Sequence, residues 1–426
     1  MPDIRFPVPS YSNIRNYVLN QFTLIYETDK SYSTLIDTLH TPFKGSYAEA
    51  FTRFDTLRPV FYVWNQYRFP VFFTEPGQSS YINSGRLSFD FYLNSFLLLS
   101  GWQEIIITNR DKHGRFRFSD SLQCKYQFAS VPVVSIYFKL LAGLLNDAGI
   151  AIKEKKFSPD GSWIEMTHDI DTLNNGWWED CGYYLKNFKP ASVFQIAVIL
   201  WKKFILGKDS YFDGFRELVD ITIKKKIPSV FFILVSQSKQ DADYNINNPR
   251  VKKQIKRLTQ AGIQVELHPG YNTCTNLSRL TQQMEQLGKI TGQPVTALRQ
   301  HFLQIDTALS FPVYEKASIR KDYSLGFAEQ YGFRNSIATP FNPYLFNENR
   351  GSTVLEIPLF FMDGTLVHYL KGDRNELMQT IINEIKELKQ NLNCHFSVIF
   401  HNTSFTHLKY AGLKEMYDQI VSEYLT

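Results

Sequence analysis

From about residue 156 onward, short and almost wholly apolar runs alternate with longer segments whose apolar residues recur at helical spacing. WIEMTHDID (163–171), SVFFILV (229–235), IQVELH (263–268), VTALRQHF (295–302), LEIPLFFMDGTL (355–366) and HFSVIFHN (395–402) have the length and apolar content of buried strands. DGFRELVDITIKKKI (213–227), NPRVKKQIKRLTQAG (248–262), LSRLTQQMEQLGKITG (277–292) and RNELMQTIINEIKELKQN (374–391) read as helices, the second with Pro near its start and Gly past its end. Strands alternating with helices of this length predict parallel βαβ units, in a barrel or a doubly wound sheet.

The first 150 residues are patterned differently. PVFYVW, PVFFTE and RLSFDFY have strand character, FYLNSFLLLSGWQEI and VSIYFKLLAGLLNDAGI read as helices, and NRDKHGRF as a polar turn with His113 at the surface. No chemical constellation is visible in this half. The polar stretch AIKEKKFSPDGSW, with Pro159, Asp160 and Gly161, marks the expected boundary. The chain thus divides into a smaller α+β domain over residues 1–155 and an α/β domain over residues 156–426. The segment Ser192–Leu206 is strongly apolar but holds Gln195, Lys202 and Lys203. It is too short and too interrupted to span a bilayer; it reads as a buried helix, with a helix lying on a membrane surface as the alternative.

Composition narrows the partners. A net charge of +5 is spread without a basic arm, which argues against nucleic acid, and Lys224–Lys226 read as the exposed end of a helix. The weak basic balance would suit an anionic glycan or a membrane surface. Aromatics at 15% favour ring-lined clefts as well as Phe-rich cores. Cys124, Cys181, Cys274 and Cys394 lack CxxC spacing and read as free thiols in a reducing compartment. Residues 1–25 show no charged segment followed by an apolar one, so the expectation is a soluble cytoplasmic protein without a transmembrane segment.

The chemistry sits at strand ends. Asp169 and Asp171 close the first run, His268 another, Arg299 and His301 a third, and His401 the last. The C-terminal face of a parallel barrel is where active sites assemble. Two carboxylates two residues apart on a strand face the same side and repel unless a cation or proton lies between them. Zinc accepts Asp oxygen and His nitrogen together. Its bound water becomes a nucleophile near neutral pH, a second carboxylate can take the proton, and a His can protonate the leaving group.

With these residues in view, the sequence resembles the polysaccharide deacetylase (NodB-type, carbohydrate esterase family 4) family. MTHDID is similar to its first motif, SVFFIL to its apolar second strand, VELHPGYN to its His-containing motif, LRQHF to its Arg motif and VIFHN to its closing His motif, in the family's order. SGWQEIIITNRDKHGRF and DYSLGFAEQYGFRNSIATPF further resemble a bacterial branch in which the catalytic part follows an uncharacterised N-terminal domain. The resemblance implies a distorted (β/α) barrel, a divalent metal, usually zinc, and removal of an acetyl group from an amino-sugar or glycan precursor. It implies Asp169 as general base, Asp171 and His268 as metal ligands, Arg299 as the group orienting the base, and His401 as general acid.

The sequence departs from the family twice. Ile170 separates the two aspartates, so their roles are exchangeable. Asn272 stands where the family has a second metal-binding His, so either Asn272 ligates poorly, or His168 or His301 takes its place, or the metal is loosely held. Tyr271, His301, Asp322, Arg334 and Asp363 are expected to line the substrate cleft, with Tyr323 beside them, whereas Asp241, Asp243 and Asn245 read as loop and helix-capping residues. The leading expectation is a metal-dependent hydrolase acting on a carbohydrate or an N-acylated small molecule. The alternatives are a non-catalytic glycan-binding or scaffold protein and a metal-independent C–N hydrolase; oligomeric state is not legible.

Overall fold

The computed structural model describes residues 6–27, 32–53, 56–75, 77–158, 161–406 and 408–424. Pro159 and Asp160 of the expected boundary loop, and His407, lie outside these residues.

Eight parallel strands form one sheet. They are β1 (Trp163–Ile170), β2 (Ser229–Leu234), β3 (Gln264–His268), β4 (Ala297–Leu298), β5 (Lys321–Asp322), β6 (Leu355–Glu356), β7 (Leu359–Met362) and β8 (His395–Ile399). Their order is β6-β5-β4-β3-β2-β1-β8-β7. The two edges, β6 and β7, are separated only by Ile357 and Pro358. Ile357 donates to Asp322 of β5 while Pro358 accepts from Ser397 of β8. One broken strand therefore pairs on both sides, and the sheet closes into a distorted (β/α) barrel.

The helices that cover it follow the sequence pattern. α1 (Gly176–Lys186), α2 (Pro190–Phe204) and α3 (Ser210–Lys225) follow β1; α4 (Pro249–Gln260), α5 (Leu277–Thr291), α6 (Arg374–Asn391) and α7 (Leu413–Tyr424) come later. α3 starts on Asp209, whose carboxylate accepts from Tyr211 N–H, and ends on Lys226 in the left-handed region, so Lys224–Lys226 are exposed at its end. The run 295–302 yields only a two-residue strand, because Arg299 onward leaves the sheet and His301–Leu303 coil into a 3₁₀ turn.

The N-terminal part holds an antiparallel hairpin (Val60–Trp64 with Tyr67–Val71) and the helices Tyr11–Ile25, Phe91–Leu99 and Val133–Asp147. FYLNSFLLLSGWQEI is broken at Gly101, whose φ of 67° ends the first helix, and a second runs over Trp102–Ile106. One continuous core runs from this part into the barrel. The two parts approach closely at Gly332, where a Cβ would collide with the Ala129 carbonyl oxygen. Arg334 and Glu104 form a buried ion pair across the same junction. All four cysteines are free thiols.

One expected core helix is not in the core. α2 buries only Ser192, while Val193, Phe194, Trp201 and Phe204 are exposed. Its apolar content reflects a surface stripe, because apolar residues can also lie outside a core. No helix among the described residues is long and apolar enough to cross a membrane.

Candidate active site

Alternation along β1 decides which side chains meet. Thr167 and Asp169 point into the barrel, where Arg299 Nη1 donates to Thr167 Oγ1 and to Asp169 Oδ1, both at 2.8 Å. His168 points the opposite way. It is buried against Phe231 and Tyr417, with Nδ1 3.0 Å from the Phe400 carbonyl, so it takes no part in the cleft. Burial holds its pKa down to about 4.

Arg299 is fully buried, stacked 4.6 Å over Phe232, and also donates to the Tyr323 carbonyl. It fixes Asp169 while leaving Asp169 Oδ2 3.8 Å from His268 Nε2.

Asp171 lies just past β1, and three imidazoles converge on it. His268 Nε2 is 3.2 Å from its Oδ1; His301 Nε2 and His401 Nε2 are 3.8 and 3.5 Å from its Oδ2. Each ring is anchored through its other nitrogen. His268 Nδ1 donates to the Arg299 carbonyl at 2.5 Å, His301 Nδ1 faces Asp241 Oδ1 at 3.3 Å, and His401 Nδ1 faces Asp363 Oδ1 at 2.6 Å. A carbonyl or carboxylate oxygen only accepts, so the proton sits on Nδ1 and the Nε2 lone pair of a neutral ring is directed at Asp171. Asp171 Oδ1 is buried and has no hydrogen-bond partner despite the short separation from His268.

Electrostatics follow from this crowding. Burial would raise the pKa of Asp171, but His268 and His301 overcome it and hold the carboxyl well below the usual range. Burial opposes a proton on His401, yet Asp363 and then Asp171 push it up to about 10. His268 is raised against the same penalty by Asp169 and Asp171. Asp363 is itself held by the His401 N–H at 2.7 Å and by the Ser404 hydroxyl.

The groups open into a cavity of about 770 Å³. That is within the roughly 300–1,000 Å³ of small-molecule clefts. Its wall includes Tyr211, Phe302, Tyr369 and Tyr410.

The expected site residues sort into three groups. Asp169, Asp171, His268, His301, Asp363 and His401 line this cavity, with Arg299 behind Asp169. Asn272 and Tyr271 stand in the loop after β3 and belong to neither the cavity wall nor the His–Asp cluster. Asn272, at a φ of 58°, has its Oδ1 engaged by Gln304 Nε2 at 2.9 Å, and Tyr271 gives its backbone N–H to Asp241. Asp322 and Arg334 are buried away from the cleft. Asp322 accepts from Ser324 at 2.6 Å beside Glu356, and Arg334 forks onto Glu104. Tyr323 is buried inside the barrel with its hydroxyl donating to Glu165.

Two cleft residues escape sequence reasoning. Asp241 was expected to cap a helix; instead it accepts from Tyr271, Ser236 and Ser238 and faces His301, while Asn248 caps α4. Arg115 comes from the NRDKHGRF turn, reaches the cavity wall and donates to the Phe302 carbonyl. The stacking of His113 on Phe302 holds that turn against the barrel, so His113 is half-buried. A charged cluster flanking a turn is the only sequence signal either residue leaves.

Comparison with known proteins adds the following. Residues 17–149 match a family of unknown function, DUF7033. No curated protein matches the chain. A protein from Mycobacterium smegmatis assigned to the polysaccharide deacetylases is 14% identical, covering 62% of this chain and 85% of that one at a TM-score of 0.38. The peptidoglycan deacetylase PdaC from Bacillus subtilis is 10% identical, over 63% and 87% of the two chains, at 0.30. BA3943, a CE4 family pseudoenzyme from Bacillus anthracis, is 8% identical, over 63% and 67%, at 0.30. The strand order, rather than these distant likenesses, carries the assignment of the barrel.

Proposed function

We propose that the protein is a metal-dependent hydrolase that removes an acyl group, acetyl in the first instance, from an amino-sugar or related N-acylated saccharide. The observation that carries this reading is the convergence of three Nδ1-anchored imidazoles on Asp171, one of whose oxygens is buried without a hydrogen bond.

The donor set fits a divalent ion. One atom each from Asp171, His268 and His301 lies within 4.8 Å of the others. His268 Nε2 lies 3.2 Å from Asp171 Oδ1 and His301 Nε2 3.8 Å from Oδ2, so the one carboxylate faces both rings at spacings near the roughly 3.3 Å between donors whose bonds to a zinc would be roughly 2.0–2.2 Å. The Nδ1 acceptors of both rings are the partners that orient a ligating imidazole. His301 thus supplies the third donor, and Asn272 is not needed. When bound, such an ion supplies Lewis-acid polarisation of the acyl carbonyl and a more acidic water.

The chain's own residues do the rest. Asp169, fixed by Arg299, takes a proton from water as the water oxygen bonds to the carbonyl carbon. His401, protonated and held by Asp363, gives its proton to the leaving nitrogen as the C–N bond breaks. Water and amide become carboxylic acid and amine.

The test combines metal analysis with acetate release from N-acetylglucosamine oligomers. We expect near-stoichiometric metal in the wild type and in Asn272→Ala, loss of it in His268→Ala and His301→Ala, and an acetate-release rate at least ~10²-fold lower in Asp169→Asn. Full retention of activity in Asp169→Asn, or of metal in His301→Ala, would reject the reading.

A further inference from the structure

The α1–α2 hairpin leaves the barrel immediately after the Asp171 loop, and it carries most of the exposed large apolar side chains among the described residues. Among the described residues, ten of the thirteen exposed large apolar side chains lie between Trp178 and Leu206. They are arranged, not scattered. Phe194, Trp201 and Ile205, exposed by 68, 53 and 70%, follow helical spacing along one stripe of α2 and the turn after it. Trp178 and Leu185 do the same on α1. Phe188 stands in the connecting turn.

Charge says what covers this face. Residues 181–208 contain five lysines and no acid. That equals the net charge of the whole chain, leaving 41 basic and 41 acidic residues balanced elsewhere. Lys186, Lys189, Lys202 and Lys208 are exposed, and Lys203 pairs with Asp209 at 3.0 Å. A second copy is a poor occupant, because the hairpin's two acids, Glu179 and Asp180, are engaged by Lys409 and Ser210, and a two-fold contact over residues 181–208 would set lysines against lysines. Phosphate headgroups over an acyl layer match both features. Trp and Phe enter the boundary between headgroup and chain, and the lysine stems lie along it with their ammonium groups at phosphate level.

We propose that the α1–α2 hairpin docks the barrel on the surface of an anionic lipid bilayer, with its apolar stripe in the headgroup region. The cavity then opens beside the membrane: Trp178 belongs to the exposed face, and the adjacent Glu179 lines the cavity wall. Docking does not depend on the hydrolase reading, and its test needs no turnover.

The test is co-sedimentation of the full chain with phosphatidylcholine vesicles, with and without about 30% phosphatidylglycerol. Binding to the anionic vesicles is expected to be at least ~10-fold tighter and to weaken as salt is raised. Phe194→Ser/Trp201→Ser/Phe204→Ser should lose at least ~10-fold of it. Lys186→Glu/Lys189→Glu/Lys202→Glu should lose more than ~100-fold, at roughly fivefold per lysine removed. Far-UV circular dichroism and the thermal midpoint should be unchanged in both variants, since none of these side chains is in the core. A chain that stays in the supernatant with both vesicle types, or a serine variant that sediments like the wild type, would overturn the proposal. A concentration-dependent dimer in light scattering that the serine variant abolishes would also overturn it and give the face to a second copy.

Discussion

Replacing Arg334 by Met tests whether its charge acts in the cleft or holds the fold. Its guanidinium forks onto Glu104, with Nε 2.8 Å from Oε1 and Nη2 2.6 Å from Oε2, and the Thr307 hydroxyl donates to the same carboxylate at 2.6 Å. The two side chains are 1 and 3% exposed. Burial would raise the pKa of Glu104, and Arg334 reverses that and keeps it ionised. Removing one member of such a pair strands a charge in the interior, which costs about 3–5 kcal/mol. At about 2.1 cal/mol/K per residue over 426 residues, or roughly 1 °C per kcal/mol, Arg334→Met should lower the thermal midpoint by roughly 4 °C. Glu104→Leu/Arg334→Met leaves no charge behind and should recover most of the loss, giving a coupling energy above about 2 kcal/mol in a double-mutant cycle. The assay is urea unfolding of the four proteins, with saccharide turnover measured below the midpoint. Arg334→Met as stable as the wild type but defective in turnover would refute the structural role and return Arg334 to the substrate cleft.

Two other perturbations probe the imidazoles. Asp363→Asn removes the carboxylate that pushes His401 up to about 10. A general acid works while protonated, so the alkaline limb of the kcat–pH profile should move toward lower pH, with kcat down ~10²–10⁴-fold and KM little changed; an unshifted limb would separate Asp363 from His401. His168 titrates at about 4 in the fold, against roughly 6.5 in an unfolded chain. The unfolded state therefore binds the extra proton, and stability is lost as pH falls from about 6.5 to 4. The wild type should lose about 3 kcal/mol more than His168→Phe over that window in denaturant unfolding, and equal losses would show that His168 is hydrated or ionised in the fold.

Much of the barrel is legible because a strand buried on both faces must be apolar throughout. SVFFIL and HFSVI therefore announce themselves, and Gly262 and Gly292, both at positive φ, close α4 and α5. Barrel closure is not legible. It depends on β4, β5 and β6, each two residues long, and on a strand broken at Pro358 that pairs on both sides. No periodicity marks a segment that short. The strand-end residues Asp169, Asp171, His268 and His401 were accessible because parallel strands deliver their last side chains to one face. Asp241 and Arg115 come from loops whose position is set by contacts 30 or more residues away. Arg334 is expected in the cleft from the resemblance of GFRNS to a branch motif, and its partner Glu104, 230 residues earlier, shows it instead in a buried ion pair. The hairpin misled in the opposite sense, since apolar content alone cannot distinguish a helix facing the core from one facing a partner.

The three imidazoles also show how one residue type can take unlike tasks. His268 is backed by a neutral carbonyl, which fixes its tautomer without adding charge. His301 and His401 are both backed by carboxylates, but Asp241 faces His301 at 3.3 Å and also accepts from Tyr271, Ser236 and Ser238. Asp363 holds His401 at 2.6 Å and pushes its proton affinity far above the ordinary value. On the reading proposed here, the first two rings are suited to donating lone pairs and the third to holding a proton. On the same reading, once Asp241 orients His301 toward Asp171, an imidazole four residues after His268 is redundant, and the Asn272 amide is free to tie the β3 loop to Gln304.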